Sequence, residues 1–237
     1  SYLSYLLKRY VFHESGTLVS GIIGGLYSST ATISVLARKS RKASEQEATD
    51  YVAAMLLAVS MMFLRFMILI LIFSREIFLS IYPYLLTMAV VAAIVAWFIH
   101  SRQKRPEDQP AETEEDDSSN PLEFKVALIF AILFVIFTFL THYTLVYAGT
   151  GGLNLLSFVS GFSDITPFIL NLLQNTGSVA ALIITACSMQ AIISNIMVNM
   201  FYALFFAGKG SKLRPWILGG FGVVITCNLV LLLFFYI

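Results

Sequence analysis

The stretch YVAAMLLAVSMMFLRFMILILIF (residues 51–73) decides the class of this protein, because its only charged residue is Arg65. A helix needs roughly 20 apolar residues to cross a hydrocarbon core of about 30 Å. The whole chain has the same character, since 58% of its 237 residues are hydrophobic and only 12% are charged. Soluble domains carry about 25% charged residues. The sequence therefore predicts an integral membrane protein.

Six further apolar segments have the length of a membrane-spanning helix. They are residues 16–37, 77–99, 123–147, 153–175, 178–207 and 215–237. None of them shows the strict alternation of a membrane β-strand, and lipid otherwise permits only helices as spanning elements. The sequence predicts an all-α, polytopic bundle of about seven transmembrane spans.

A charged segment at residues 101–122 divides the chain into two predicted halves. The string SRQKRPEDQPAETEEDDSSNP (101–121) contains three prolines, and its only apolar residue is Ala111. Such a composition cannot bury enough surface to become ordered, so we expect a mobile linker. Residues 1–100 form the first predicted half, which begins within a helix whose start is absent, and residues 123–237 form the second.

Polar landmarks recur in the two halves and predict an internal repeat. The dipeptide Ser-Gly occurs at 20–21 and again at 160–161. A serine followed five residues later by a polar residue occurs at 60–65 and at 194–199. Four predicted spans separate equivalent helices, which is an even number, so the halves would have the same orientation. The prediction is a parallel repeat, as in some transporters.

The distribution of Lys and Arg predicts the orientation in the membrane. With seven spans, eight basic residues flank one face and six flank the other. The face with more basic residues is predicted to be cytoplasmic. The linker 101–122 and the C-terminus lie on that face.

The string SGIIGGLYSSTAT (20–32) places glycines and hydroxyl residues inside a predicted span. Its glycines recur at helical spacing, which favours close packing of two helices. Its hydroxyl groups surround more than half of the helix, which favours a polar cavity or solute path. Both interpretations remain open, and the candidate solute-binding residues are Ser28, Ser29, Thr30 and Thr32.

The string SGFSDITPF (160–168) places Asp164 at the middle of its span, with Ser160 one turn earlier. Pro167 has no N–H, so it frees the carbonyl of residue 163 and moves Thr166 away from helical geometry. We expect this helix to break around residues 163–167. The helix at 16–37 has no proline, and we expect a milder break there near residues 24–25.

Two charged residues lie near the centres of predicted spans. A charge at that depth costs from about 2.5 to more than 10 kcal/mol, so it indicates a functional site by default. We predict that Arg65 and Asp164 face each other, with Asn195 or Asn199 in the same hydrogen-bond network. The alternative interpretation is a structural ion pair that holds the bundle together.

The sequence shows no sign of an enzyme. His13, His100 and His142 are scattered, and no nucleophile elbow, zinc signature or phosphate loop is found. We predict no catalytic residue, no metal ligand and no cofactor. The formal net charge of +1 does not indicate a nucleic-acid partner. The predicted partners are the lipid bilayer, a small polar solute or ion, and a second copy or another membrane protein.

Several strings together carry a resemblance to a known family. They are GGLYSSTATISVLARKSR, MMFLR, NPLEFKVALIFA, SGFSDIT and SNIMVN. They resemble the integral-membrane domain of unknown function that often follows the MgtC-like part of MgtC/SapB-type bacterial membrane proteins, over essentially the whole chain. The resemblance implies a multi-pass protein of the bacterial inner membrane, loosely linked with magnesium homeostasis and transport. It implies no established activity.

The chain departs from that family at two positions. The family tends toward a second acid at Thr166 and a lysine at Asn199. The joint loss of an acid and a base suggests that these two groups pair with each other. It leaves Asp164 and Arg65 as the central charges and argues against binding of a divalent cation. The leading prediction is a transporter or channel-like protein for a small polar solute or ion, and the alternative is a regulatory or scaffold subunit.

Overall fold

The computed structural model describes residues 16–41, 43, 45–102, 122–174, 180–207 and 213–236. In these residues every regular element is an α-helix, which confirms the all-α prediction. The helices are α1 (Thr17–Lys39), α2 (Glu45–Phe73), α3 (Arg75–Ser101), α4 (Leu122–Ser160), α5 (Ile165–Gln174), α6 (Ala181–Ala207) and α7 (Arg214–Tyr236). The start of the first predicted half, before residue 16, and most of the predicted linker, residues 103–121, lie outside the described residues.

Five of the described helices are long and apolar enough to cross a membrane. They are Thr17–Lys39, Thr49–Phe73, Arg75–Ser101, Ala181–Ala207 and Arg214–Phe234. By helix length and hydropathy the chain is therefore a multi-pass membrane protein. These helices coincide with five of the predicted spans. The predicted span 153–175 differs, because it is divided between the end of α4 and the short helix α5.

Two of the helices contain a residue with non-helical backbone angles. Ser28 has φ −155° and ψ 107° inside α1, and Gly149 has φ 58° and ψ −148° inside α4. The positive φ at Gly149 is available to glycine because it has no Cβ. We name the resulting parts α1a (17–27), α1b (29–39), α4a (122–148) and α4b (150–160). The milder break predicted near residues 24–25 lies instead at Ser28, whose side chain can cap the following turn whereas a glycine cannot.

A further interruption, at residues 161–164, separates α4b from α5. Helix α4b ends at Ser160 and α5 begins at Ile165, so the break lies at residues 161–164 and overlaps the one predicted at residues 163–167 only at Ser163 and Asp164. The prediction that Thr166 leaves helical geometry is wrong. Thr166 and Pro167 are the second and third residues of α5, and in the first turn of a helix the missing proline N–H leaves no intrahelical bond unmade.

The contacts divide the chain into two compact units. Among the described residues, unit 1 lies within 16–67, 84–102 and 199–228, and unit 2 lies within 68–83, 122–198 and 229–236. Each unit therefore contains residues from both predicted halves of the chain. Within unit 1 the core is formed by apolar side chains of α2, including Phe63 and Phe66, and of α3 and α7.

Two glycines of unit 1 allow α1a and α2 to touch through their backbones. A Cβ built on Gly21 would overlap the carbonyl oxygen of Ala54, and a Cβ on Gly25 would lie 2.5 Å from the Cα of Ala58. Small residues at such spacing let membrane helices approach closely. Close packing thus accounts for these two glycines.

Replacement of Gly21 by alanine should destabilise the protein. The added methyl group meets backbone atoms that cannot move aside, and overpacking of this kind typically costs about 1–3 kcal/mol. Gly219 of α7 is the matched control, because a Cβ there would meet no atom within 4 Å. Thermal unfolding in detergent should show a lower midpoint for Gly21→Ala and little change for Gly219→Ala. Equal midpoints would contradict the packing described above.

Candidate functional site

The predicted site residues fall into two groups, one in each unit. Unit 1 contains Ser28, Ser29, Thr30, Thr32, Arg65 and Asn199, and unit 2 contains Ser160, Asp164, Thr166 and Asn195. The first group includes the interruption at Ser28 (the first interruption), and the second group includes the interruption at residues 161–164 (the second interruption). The single polar belt stays a prediction, because its residues belong to different units.

At the first interruption Ser28 begins a new helix. Its Oγ accepts a hydrogen bond from the N–H of Ala31 at 3.3 Å, which is the geometry of an N-cap. The Thr32 hydroxyl donates to the Ser28 carbonyl oxygen at 2.8 Å, and the Ser34 hydroxyl donates to that of Thr30 at 2.8 Å. These hydroxyl groups bond the backbone of their own helix, as Ser and Thr often do. Ser29, the next residue, is buried.

Arg65 of α2 bonds the carbonyl that this break releases. In a continuous helix the N–H of Ala31 would donate to the carbonyl of Tyr27, but here it donates to Ser28. The Arg65 Nη1 donates instead to the Tyr27 carbonyl oxygen at 2.6 Å, and the guanidinium carbon lies 5.1 Å from the centroid of the Phe66 ring. A hydrogen bond from a charged donor is among the stronger ones in proteins. The half-buried Arg65 therefore holds the broken backbone.

At the second interruption Asp164 caps α5. Its Oδ1 accepts a hydrogen bond from the N–H of Thr166 at 2.9 Å, and its side chain is exposed. A carboxylate at this position satisfies a backbone donor and interacts favourably with the helix dipole. Asp164 and Arg65 belong to different units, and their pairing stays a prediction. The Ser160 hydroxyl is buried and donates to the carbonyl of Ser157 at 2.7 Å.

Two residues of α6 bond the carbonyls at this second break. The Asn195 Nδ2 donates to the carbonyl oxygen of Gly161 at 3.1 Å and lies 3.5 Å from that of Ser163. Ser163 precedes α5, so its carbonyl accepts no bond within that helix, and the Asn195 amide lies beside it. The Ser194 hydroxyl donates to the carbonyl of Phe158 at 2.6 Å. Asn199 lies one turn further along α6 and is buried.

Sequence reasoning missed a polar contact between α4b and α6. The Ser157 Oγ lies 2.9 Å from the Gln190 Oε1, and the Cys187 Sγ lies 3.5 Å from the Asn154 Oδ1. Their spacing was a usable signal, because residues three apart on each helix lie on one face. In the described part of the chain, no group of three His, Cys, Asp or Glu side chains is placed to hold a metal ion.

Comparison with known proteins gives the family. The family model described as "Domain of unknown function (DUF4010)" matches residues 1–207. The chain belongs to the DUF4010 family. The chain is also similar to an "Uncharacterized protein" of Aquifex aeolicus (strain VF5), with 24% identity over 227 residues that cover 93% of this chain and 96% of the relative. No solved structure matches the chain. The resemblance to an integral-membrane domain of unknown function is confirmed.

The role of Asp164 can be tested by the size of its contribution to stability. As an N-cap, Asp164 should cost about 0.5–2 kcal/mol when replaced by alanine, whereas Asp164→Asn should be nearly neutral because asparagine caps helices well. A buried ion pair with Arg65 would instead lose about 3–5 kcal/mol when one partner is removed. Chemical unfolding in detergent measures the difference. A loss in the larger range, reproduced by Arg65→Gln but not increased in the double variant, would support the pair over the cap.

Loss of the Asn195 amide should destabilise the second interruption. Asn195→Ala leaves the carbonyl of Gly161 buried without its donor, and an unsatisfied buried group costs about 1–3 kcal/mol. Ser188→Ala is the matched control, because the Ser188 hydroxyl is buried on the same helix but donates only to the Ile184 carbonyl of its own turn. Unfolding measured as above should show a clear loss for the first variant and a small one for the second. Similar values would show that the amide does not hold this break.

Proposed function

We propose that this protein moves or binds a small polar solute or ion in the membrane, at sites built on its interrupted helices. The observation that carries the proposal is the bonding of backbone carbonyls at both interruptions by side chains of another helix. In lipid, irregular backbone is tolerated only where it is buried in protein or lines a water-filled cavity. Interrupted helices form the substrate and ion sites of many transporters.

The chemistry of the two interruptions suits exchange with a polar solute. Each offers carbonyl oxygens, and each has a donor from the next helix, the guanidinium of Arg65 or the amide of Asn195. Hydrogen bonds exchanged between comparable partners cost little net free energy, usually near 1 kcal/mol. A solute with donors and acceptors can therefore replace these contacts without leaving the backbone unsatisfied.

Similar close contacts of a glycine with the next helix support an internal repeat along the chain. A Cβ on Gly21 would overlap Ala54, and a Cβ on Gly161 would overlap Ser194. In both cases the glycine belongs to the interrupted segment and its neighbour belongs to the next helix. We include an internal repeat in the proposal on this basis.

Other parts of the proposal rest on the family resemblance alone. They are location in a bacterial inner membrane, association with MgtC/SapB-type proteins and assembly with itself or another membrane protein. A non-enzymatic role without cofactors belongs to the same proposal, since the sequence offers no catalytic constellation.

The alternative is a regulatory or scaffold subunit, and one observation favours it. The carbonyls at both interruptions already have donors from the protein. A structural role requires only that these carbonyls are hydrogen-bonded. The two candidates differ in whether a solute displaces the protein donors.

Reconstitution into liposomes tests the proposal. We expect wild-type protein to carry current or solute flux under at least one gradient among KCl, MgCl2, potassium phosphate and glycerol, measured on a solid-supported membrane or by liposome swelling. Asp164→Asn should insert and fold normally but lose most of that flux. Absence of flux above that of empty liposomes for all four gradients, with correctly folded protein, would favour the scaffold.

A further inference from the structure

We infer that α1 and the pair α4b–α5 are re-entrant helical hairpins, that the chain crosses the membrane five times, and that its basic loops share one face. The inference concerns the path of the chain and goes beyond the proposed function. Its tests need no substrate, so they succeed or fail independently of any transport measurement.

The first step is the direction of α1a, which runs parallel to α2. Gly21 contacts Ala54, and four residues later Gly25 contacts Ala58. Contacts whose numbers rise together belong to parallel helices, whereas two antiparallel helices would pair Gly21 with the later alanine. The beginning of α1 therefore lies on the same membrane face as the beginning of α2.

The second step is the return of α1b to that face. By the same register Ser28 lies level with the middle of α2. If α1b continued across the membrane, Lys39 would lie about 40 Å along the axis from Glu45 at 1.5 Å per residue. Residues 40–44 can span only about 20 Å when fully extended. A Cβ on Gly24 would also overlap the Thr32 hydroxyl, although residues eight apart in a straight helix are separated by about 12 Å.

The third step repeats this reasoning for α4b and α5. The pairs Asn154–Cys187 and Ser157–Gln190 are each 33 residues apart, so α4b runs parallel to α6. If α5 continued in the direction of α4b, its last residue would lie about 39 Å from the start of α6. Residues 175–180 reach only about 25 Å. Helix α5 must therefore return to the face where α6 begins.

The fourth step assigns the helix ends of unit 1 to one face. The Arg38 guanidinium lies 4.4 Å from the centroid of the Phe206 ring, which places the end of α1 beside the end of α6. A Cβ on Gly220 would lie 3.1 Å from the Ile99 Cδ1, so α7 begins where α3 ends. Helix α6 ends on this face and, as a membrane-crossing helix, begins on the other.

The charges of the sequence agree with this path. Among the described basic residues, the face where α1 ends is flanked by Arg38, Lys39, Arg41, Arg102 and Arg214, and the other face is flanked by Arg75. Such an imbalance marks the cytoplasmic face.

This path replaces two features of the seven-span prediction. Helix α7 ends on the face opposite to the linker, so the C-terminal end of the chain is not cytoplasmic. Helix α4a takes the place of α1 among the five crossings.

Cysteine labelling in intact cells distinguishes the two paths. The variants Ala180→Cys and Arg214→Cys are made in a background with Cys187→Ala and Cys227→Ala. In the seven-span path residue 180 is cytoplasmic and residue 214 is external. In the five-crossing path the two positions are reversed. We expect a membrane-impermeant maleimide to label Ala180→Cys in intact cells and Arg214→Cys only after permeabilisation. Glu76→Cys, which should label in intact cells, and Arg102→Cys, which should not, are the controls.

Labelling of Arg214→Cys together with Glu76→Cys, with Ala180→Cys protected, would overturn the hairpins. Labelling of Arg102→Cys but not Glu76→Cys would overturn the orientation. Fusions to the unsubstituted chain give a second measurement if a cysteine variant does not accumulate. Alkaline phosphatase joined after Ile237 should be active, and a fluorescent protein at the same position should be dark. The reverse result would also overturn the inference.

Discussion

The constraint on which this structure depends is that no backbone polar group can be left unbonded in a hydrocarbon layer. A straight helix bonds its backbone N–H and C=O groups within its own turns, whereas an interrupted helix leaves some of them without an intrahelical partner. Of the three interruptions, those at Ser28 and at residues 161–164 receive donors from the next helix along the sequence. Arg65 serves the first break, and Ser194 and Asn195 serve the second. The polar side chains of Arg65, Ser194 and Asn195 are thereby explained as partners of broken backbone.

The small residues of the sequence allow these hydrogen bonds between helices to form. A side chain can bond a carbonyl on another helix only if the two backbones lie close together. Gly21 and Gly161 provide that approach, because each sits against a small residue of the following helix where a Cβ could not fit. The glycines and the polar side chains are therefore not competing explanations. Close packing positions the donors, and the donors make the interruption tolerable.

Hydropathy and length predicted most helices, because burial in lipid demands long apolar runs whatever their arrangement. The break before Pro167 was also predictable, since proline leaves a visible mark in the sequence. The break at Ser28 was predicted too early in the chain, near residues 24–25. Serine caps a helix only where the backbone is already interrupted, and no residue near Ser28 forces such an interruption. The direction of the chain after a break could not be predicted from composition. A hairpin such as 151–174 and a single span contain the same apolar residues, and only contacts between helices separate them.

One sequence signal bears on direction, namely the distribution of Lys and Arg. The seven-span prediction places eight basic residues on one face and six on the other, which is a small imbalance, and the five-crossing path proposed above gives a larger one. The pairing of Arg65 with Asp164 stays a prediction. Each of them has a local partner in its own unit, the Tyr27 carbonyl for Arg65 and the Thr166 N–H for Asp164. A charge that holds broken backbone is retained for folding even where no solute binds, so function at these positions must be judged with variants that keep the backbone contact.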